Sequence, residues 1–245
     1  KKVVVLKGGP SAEREVSLVS GRECVKGLQD AGYDVTEIDA GADLPEQLRA
    51  AEPDVVFNAL HGRWGEDGCV QGILEWMQIP YSHSGVMASA VAMDKERAKA
   101  VFEAEGLPIA NSILASPADI SADHVMPMPY VVKPYNEGSS VGIHIVTEGA
   151  NTSPQVNIPG APDLLMVERY IPGRELTVAV MDGEALMVTE IIAEGWYDYA
   201  AKYQAGGSRH ELPANLPEDI TAKCLDYAER AHKALGCRGV SRSDF

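Results

Sequence analysis

The sequence has few positive charges for its length. Among its 245 residues, 21 Lys and Arg stand against 36 Asp and Glu, which gives a formal net charge of −15. A general nucleic-acid-binding protein needs cations against phosphates, so this balance argues against that class. It leaves room for a nucleotide ligand, which needs only a few local cations.

Cysteine pairs and long apolar runs are also lacking. The four cysteines lie far apart, at positions 24, 69, 224 and 237, without a CxxC motif, so the sequence offers no zinc framework and no redox pair. Apolar runs such as residues 3–6 fall well short of the roughly 20 residues of a membrane span. No signal-peptide pattern is visible. These absences predict a cytoplasmic protein with reduced thiols.

The sequence does contain an alternation of strands and helices. Predicted strands at 3–6, 34–38 and 55–60 are separated by predicted helices at 17–30 and 44–51. Such alternation is typical of a parallel sheet with crossover helices. The next predicted elements are a helix at 68–77, a short strand from Ile79 and a long helical stretch at 85–106.

From about residue 130 the pattern changes to strands with tight turns. Asp182-Gly183 is a two-residue hairpin signal between strands at 175–181 and 185–192. Residues 147–163, with three prolines, are predicted to be a loop or linker. The remaining predicted elements are strands at 130–133, 141–146, 164–169 and 238–245, and a helix from Pro217 to Leu235. Because a natural domain rarely ends within a sheet, we expect a longer native chain.

Two polar loops follow predicted strands at the carboxyl edge of the parallel sheet. The first is GGPSAE at 8–13, and the second is HGRWGEDG at 61–68, whose three glycines let the backbone approach a ligand closely. Ligands of open α/β sheets bind at this edge. Neither loop contains GxGxxG, so the dinucleotide fingerprint is absent. Each loop alone could be an ordinary solvated corner, but two at one edge favour a binding site.

A third loop, KPYNEGSSVG at 133–142, lies between two predicted strands. This is the geometry of a loop that folds over phosphates with backbone N–H donors, although the Walker A pattern is missing. Lys133 lies in an apolar run, and a half-buried lysine usually has an anionic partner. The aromatic segment 197–203, with glycines on either side, predicts a lid.

Five groups of motifs together resemble the D-alanine–D-alanine ligase family, which belongs to the ATP-grasp ligases. The resemblance covers nearly the whole chain in the right order. It rests on GGPSAEREVS at 8–17, ALHG at 59–62 with GEDG at 65–68, SGVMASA at 84–90 with MDK at 93–95, VKP at 132–134 with EGSSVG at 137–142, and YDY at 197–199 with AKY at 201–203.

The resemblance implies an α/β fold, α+β in its later part, with three domains. These would be an N-terminal substrate-binding domain with a parallel sheet at 1–84, a central ATP-grasp domain at 85–170 and a C-terminal catalytic ATP-grasp domain at 171–245. The implied reaction is the ATP-dependent joining of two D-alanines through a D-alanyl phosphate, for peptidoglycan precursors. ATP and Mg²⁺ or Mn²⁺ would be the cofactors, and a homodimer is the expected assembly.

The resemblance also implies roles for the residues that bind the amino acids. Glu13 would hold the ammonium of the first D-alanine, with His61 near its carboxylate. Glu13 would also join Ser139 and Tyr203 in a hydrogen-bonded triad that ties the lid shut. Arg242 would stabilise the oxyanion of the tetrahedral species.

For the nucleotide, the resemblance implies that Lys95 and Lys133 bind the phosphates. Lys202 would face the γ-phosphate and the carboxylate of the second substrate. Asp244 would bind magnesium, which takes carboxylates together with substrate phosphates. Adenine and ribose would be bound by Glu168, by the backbone of Tyr170 and Ile171, and by Glu175.

Two departures from the family pattern accompany the resemblance. The family's Glu-x-Asn metal pair and Asn-x-x-Pro-Gly turn lie downstream of Arg-x-Asp, and we expect them in a strand that follows Phe245. The stretch 147–163 is also short for the helix of a full central domain. Alternative hypotheses are a D-alanine–D-lactate ligase, another ATP-grasp carboxylate–amine ligase, a non-catalytic nucleotide-binding homologue and a periplasmic-type amino-acid binder, which would need a signal peptide.

Overall fold

The computed structural model describes residues 1–138, 142–150, 152–154, 156, 163–193 and 208–245. The chain divides into two compact units. The first contains Lys1–Met93, Ala179–Leu186 and Ala228–Ser243, and the second contains Asp94–Val178, Met187–Tyr227 and Asp244–Phe245. The predicted division into three domains remains a prediction.

The first unit contains the predicted parallel sheet. Its strands β1 (Lys2–Lys7), β2 (Asp34–Asp39) and β3 (Val55–Asn58) lie in the order β2-β1-β3. The central strand β1 pairs in parallel with both neighbours. Its four apolar residues are almost wholly buried, as expected for the central strand of a sheet covered on both faces.

Four helices of the first unit are connected to this sheet in sequence. They are α1 (Arg14–Asp30), α2 (Leu44–Ala51), α3 (Cys69–Trp76) and α4 (Val86–Met93). Leu48 and Leu74, from α2 and α3, pack with Leu6 and Val56 of the sheet in one buried cluster. The alternation read from the sequence is therefore confirmed for this unit.

Helix α1 approaches β1 closely at Gly21. A Cβ at this position would lie 2.5 Å from Cβ of Lys7. We expect Gly21→Ala to lower the free energy of unfolding by about 1–3 kcal/mol, because extra atoms in a packed interior force neighbours apart. Gly27 of the same helix is the matched control, since its Cβ would meet no atom within 4 Å.

In Gly27→Ala we expect the free energy of unfolding to rise by about 0.5–1 kcal/mol, because alanine favours a helix more than glycine does. Urea unfolding followed by circular dichroism measures both variants. A similar change in the two would contradict a tight contact at Gly21.

The second unit contains an antiparallel sheet in the order β4-β7-β5-β6. Its strands are β4 (Ser112–Ala115), β5 (Tyr130–Lys133), β6 (His144–Val146) and β7 (Leu165–Arg169). One face of β5 and β7 contributes Tyr130, Val132, Leu165 and Val167 to a buried cluster. The helices α5 (Lys95–Ala104) and α6 (Pro117–Ala122) belong to the same unit.

A third sheet has the order β10-β9-β8-β11. Its strands are β8 (Glu175–Met181), β9 (Glu184–Ala193), β10 (Ser208–Glu211) and β11 (Val240–Asp244), and the helix α7 (Glu218–Ala234) precedes β11. The predicted hairpin at Asp182-Gly183 is confirmed, because both residues have the positive φ, 50° and 88°, that a tight two-residue turn requires.

Two secondary-structure predictions were wrong in detail. The long helical stretch at 85–106 is two helices, because Asp94 is extended and caps α5, its carboxylate accepting from Arg97 N–H at 3.1 Å. The short strand from Ile79 is only an isolated parallel bridge between Val56 and Tyr81. Within the described part of the chain, no helix is long and apolar enough to cross a membrane.

Candidate functional site

A buried carboxylate in the second unit gathers the lysines of two elements. Glu168 in β7 lies opposite Val131 of β5, and side chains two residues apart on a strand share a face. Lys133 therefore lies on the same face as Glu168, and its Nζ donates to Oε2 of Glu168. Glu168 is the anionic partner that the sequence predicted for Lys133.

Helix α5 brings a second lysine to the same carboxylate. Nζ of Lys99 donates to Oε1 of Glu168 and to the carbonyl of Ala110. The side chains of Lys99, Lys133 and Glu168 are only 15%, 20% and 17% exposed. Sequence reasoning missed Lys99, although its spacing of four residues from Lys95 predicts the same helix face.

The charges of this cluster, defined as Lys95, Lys99, Lys133 and Glu168, act on each other. Burial alone would raise the pKa of Glu168, but attraction and hydrogen bonds from Lys133 and Lys99 bring it below its ordinary value. Burial, reinforced by repulsion from Lys133, lowers the pKa of Lys95 to about 8. The cluster therefore holds more positive than negative charge in a partly dry setting, which suits an anionic ligand.

Lys95 is held at the start of α5 against the turn that follows β5. Its backbone N–H donates to the carbonyl of Tyr135 at 2.8 Å, and its Nζ donates to the carbonyl of Glu137 at 2.5 Å. The structure thus brings Lys95, Lys133 and Glu168 together, as the nucleotide assignment requires. Ser139, in the loop after Glu137, lies outside the described residues, and so do Lys202 and Tyr203.

The other residues assigned to the nucleotide lie between the end of β7 and the start of β8, and the residue assigned to magnesium lies at the end of β11. Tyr170 directly follows β7, and its N–H donates to the carbonyl of Pro129 at 3.1 Å. Ile171 is 62% exposed, and Glu175 is the first residue of β8. Asp244 at the end of β11 accepts a hydrogen bond from the hydroxyl of Thr177 at 2.8 Å.

In the first unit, the two glycine-rich loops meet around Glu13. Ser11 joins them, since its Oγ accepts from the N–H of Glu13 at 3.1 Å and donates to the carbonyl of His61 at 2.7 Å. Nε2 of His61 lies 3.0 Å from Oγ of Ser20 on α1. Glu13 is only 6% exposed. The structure therefore brings Glu13 and His61 into one polar cluster, as the sequence predicted.

Gly62 allows the carboxylate of Glu13 to lie against the second loop. It has φ of +69°, and a Cβ on it would lie 2.2 Å from Oε2 of Glu13. The second loop is anchored at Gly65, because the side-chain amides of Asn58 and Gln71 donate to the carbonyl of Gly65 at 2.8 and 2.9 Å. The carboxylate of Glu13 can therefore occupy its position only because residue 62 has no side chain.

Glu66 is a member of this cluster that the sequence did not single out. It accepts from the N–H of Gly62 at 2.5 Å. Burial raises its pKa, and Glu13 raises it further, whereas the hydrogen bond from Gly62 and the charges of His61 and Arg242 oppose this change. Two acidic side chains side by side, Glu13 and Glu66, suit a cationic group such as an ammonium. The GEDG motif quoted from the sequence was the available signal.

The described residues contain no group of three or more His, Cys, Asp or Glu side chains that could hold a metal ion by themselves. Mg²⁺ is commonly bound by one or two carboxylates together with substrate phosphates. Asp244, whose carboxylate is oriented by Thr177, is of the right chemical type for one such ligand.

Comparison with known proteins identifies the family of the chain. Residues 40–84 match the family described as D-ala D-ala ligase N-terminus, and residues 101–245 match D-ala D-ala ligase C-terminus. A D-alanine–D-alanine ligase from Ruegeria pomeroyi is 67% identical over 244 residues, which are 100% of this chain and 79% of that protein.

Solved structures give the same result for the fold. The D-alanine–D-alanine ligase from Bacillus anthracis complexed with ATP has a TM-score of 0.79 at 27% identity, over 99% of this chain and 80% of that one. The VanG D-Ala:D-Ser ligase from Enterococcus faecalis has a TM-score of 0.75 at 27% identity, over 100% and 85%.

The parallel-sheet unit and the antiparallel sheets, together with the likeness to solved D-alanine–D-alanine ligases, show the fold of an ATP-grasp ligase. The predicted fold class is therefore confirmed. Within that class, the chain belongs to the D-alanine–D-alanine ligase family.

Proposed function

We propose that the protein uses ATP to join two D-alanine molecules through a D-alanyl phosphate, with Mg²⁺ bound to Asp244 and to the nucleotide. The observation that carries this proposal is the cluster of lysines around Glu168. High identity to D-alanine–D-alanine ligases along the whole chain supports it.

The lysine cluster is assigned to the nucleotide. A transferring phosphoryl group spreads negative charge over its oxygens, so catalysis needs positioned cations. Lys95 and Lys133 provide such cations, and Glu168 provides an acceptor for the amino group of adenine. Lys202 is assigned to the γ-phosphate on the family resemblance, as are the roles of Tyr170, Ile171 and Glu175 toward adenine and ribose. When bound, Mg²⁺ adds charge neutralisation at the phosphates.

The cluster around Glu13 is assigned to the first D-alanine. Its ammonium fits the pair of carboxylates of Glu13 and Glu66, and His61 lies in the same cluster for the carboxylate. With the ammonium and the carboxylate both fixed, L-alanine would exchange its methyl group and α-hydrogen, so the hand of the substrate is selected when the space around the α-carbon admits the methyl group on one side alone.

The second half of the reaction needs a further cation and a dry site. A free amine attacks the acyl phosphate, and the tetrahedral species carries an oxyanion that a positioned donor stabilises. This part is assigned to Arg242. Water must be excluded because it hydrolyses acyl phosphates, and this role is assigned to the lid and to the triad of Glu13, Ser139 and Tyr203.

Location and assembly are proposed on other observations. The four cysteines form no disulfide, which agrees with the cytoplasm as location. A homodimer is proposed on the family resemblance alone. The alternative of D-alanine–D-lactate ligation is not favoured, because relatives at 62–67% identity carry the name D-alanine–D-alanine ligase.

The proposal predicts phosphate release that depends on ATP and D-alanine. In a coupled assay with Mg²⁺, we expect the rate with D-alanine to exceed that with L-alanine at least about tenfold, the effect of losing one hydrogen bond to a charged group. D-Lactate added as second substrate should not raise the rate. Equal turnover of the two alanine enantiomers would overturn the proposed substrate.

A further inference from the structure

One member of the lysine cluster, Lys99, is given no contact with the nucleotide in the proposed function. Glu168 is held by two lysines at once, with Lys99 on Oε1 and Lys133 on Oε2. The proposed function moves Lys133 toward the phosphates of the nucleotide and uses Glu168 for adenine. When Lys133 leaves, a carboxylate that is 17% exposed would lose one of its two counter-ions.

A buried carboxylate without a counter-ion tends to take up a proton or to change its position. Lys99 is placed to counter both, because it approaches Glu168 from a different element. It extends from α5, whereas Lys133 extends from β5. The carbonyl of Ala110 accepts a second hydrogen bond from the ammonium of Lys99, which ties this lysine to a fixed point of the backbone.

We propose that Lys99 is a positioning residue of the nucleotide site: it keeps Glu168 charged and oriented while Lys133 exchanges this carboxylate for a phosphate of ATP. The inference rests on the proposed function and deepens it. The role of Lys99 also concerns the preference for adenine over guanine. An ionised Glu168 accepts from the amino group of adenine but repels the carbonyl that guanine carries at the same position.

Within the described part of the chain, the other charges near Glu168 do not replace Lys99. Nζ of Lys95 is held by the carbonyl of Glu137, and its ammonium is repelled by Lys133. Arg97, on the same helix, has a side chain that is 74% exposed and pairs with Asp94. Arg97→Met is therefore a matched control that removes a cation from α5 and leaves Glu168 untouched.

Calorimetric titration with ATP in the absence of amino acid tests the inference. For Lys99→Met we expect the Kd for ATP to rise at least about tenfold, the lower range for a hydrogen bond between charged groups. Lys99→Arg should restore affinity to within about threefold, and Arg97→Met should bind like the wild type. The preference for ATP over GTP should fall in Lys99→Met, while the KM for D-alanine should stay unchanged.

A double-mutant cycle separates positioning from general damage. If Lys99 acts through Glu168, then Lys99→Met should have little further effect in a Glu168→Gln background. Lys99→Gln, which keeps a donor for the carbonyl of Ala110, tests the charge alone if the methionine variant does not fold. Losses that multiply, or a neutral variant at position 99 that binds ATP like the wild type, would overturn the inference.

ATP binding by the wild-type protein and by the Lys99→Met variant separates the proposed function from the role of Lys99. A wild-type protein that binds no ATP would contradict the proposed function. A wild-type protein that binds ATP, with a Lys99→Met variant of equal affinity and equal preference over GTP, would contradict only the role of Lys99.

Discussion

Replacing Lys95 by methionine is expected to weaken ATP binding by about 10- to 100-fold, the value of one hydrogen bond between charged groups. The lysine lies at the first position of α5, where its backbone is tied to Tyr135 and its ammonium to the carbonyl of Glu137. Calorimetric titration with ATP measures the loss, and Arg97→Met is again the matched control on the same helix.

The pKa of Lys95 also predicts the direction in which ATP affinity changes with pH. Burial, with repulsion from Lys133, lowers the pKa of Lys95 to about 8 in the free protein, and the phosphates of bound ATP must raise it again. ATP binding therefore takes up a proton above pH 8, so affinity should fall by up to about tenfold per pH unit there. Below pH 8, Lys95 is already charged, and this group causes no change in affinity.

Two variants check the assignment of the pH effect to Lys95. In Lys95→Arg the guanidinium stays charged, so the fall of affinity near pH 8 should disappear while binding at pH 7 is largely kept. In Lys95→Met affinity should be low at every pH, without a fall near pH 8. An unchanged fall of affinity in both variants would show that another group titrates.

The sequence predicted the order and type of most elements because local patterns determine them. The bounds of α2, β5 and β8 agree with the sequence reading to the residue. Strands β4 and β10 were missed. Both are four residues long and carry a weak alternation of burial, and β4 is held mainly by its pairing with β7, about fifty residues away.

For the site, the sequence identified residues but not their partners. The resemblance pointed to Lys95, Lys133 and Glu168, and the apolar run around Lys133 predicted an anionic partner without naming it. Lys99 is separated by 69 residues from the carboxylate that it binds, so no local pattern distinguishes it from a solvated helical lysine. Glu66 was missed for a different reason: the GEDG motif was visible, but the contact of Glu66 with Gly62 depends on how the loop folds.

Introducing one methyl group at Gly62 is expected to lower kcat/KM for D-alanine by about 10- to 100-fold. The added Cβ would lie 2.2 Å from Oε2 of Glu13, so the carboxylate has to leave the position that we assign to binding of the first substrate. The positive φ of +69° adds a backbone strain of about 1–3 kcal/mol for alanine. Thermal unfolding measures this second effect.

Gly72→Ala is the matched control, because a Cβ at position 72 would meet no atom within 4 Å. This variant should keep kcat/KM, and its free energy of unfolding should rise by about 0.5–1 kcal/mol because alanine replaces glycine within α3. ATP affinity should change little in either variant, since the lysine cluster belongs to the other unit. Gly62→Ala acting through Glu13 predicts a smaller additional loss in a Glu13→Gln background, because the two changes remove the same contact. Full loss in that background, or a decrease of ATP affinity equal to that for D-alanine, would contradict this role of Gly62.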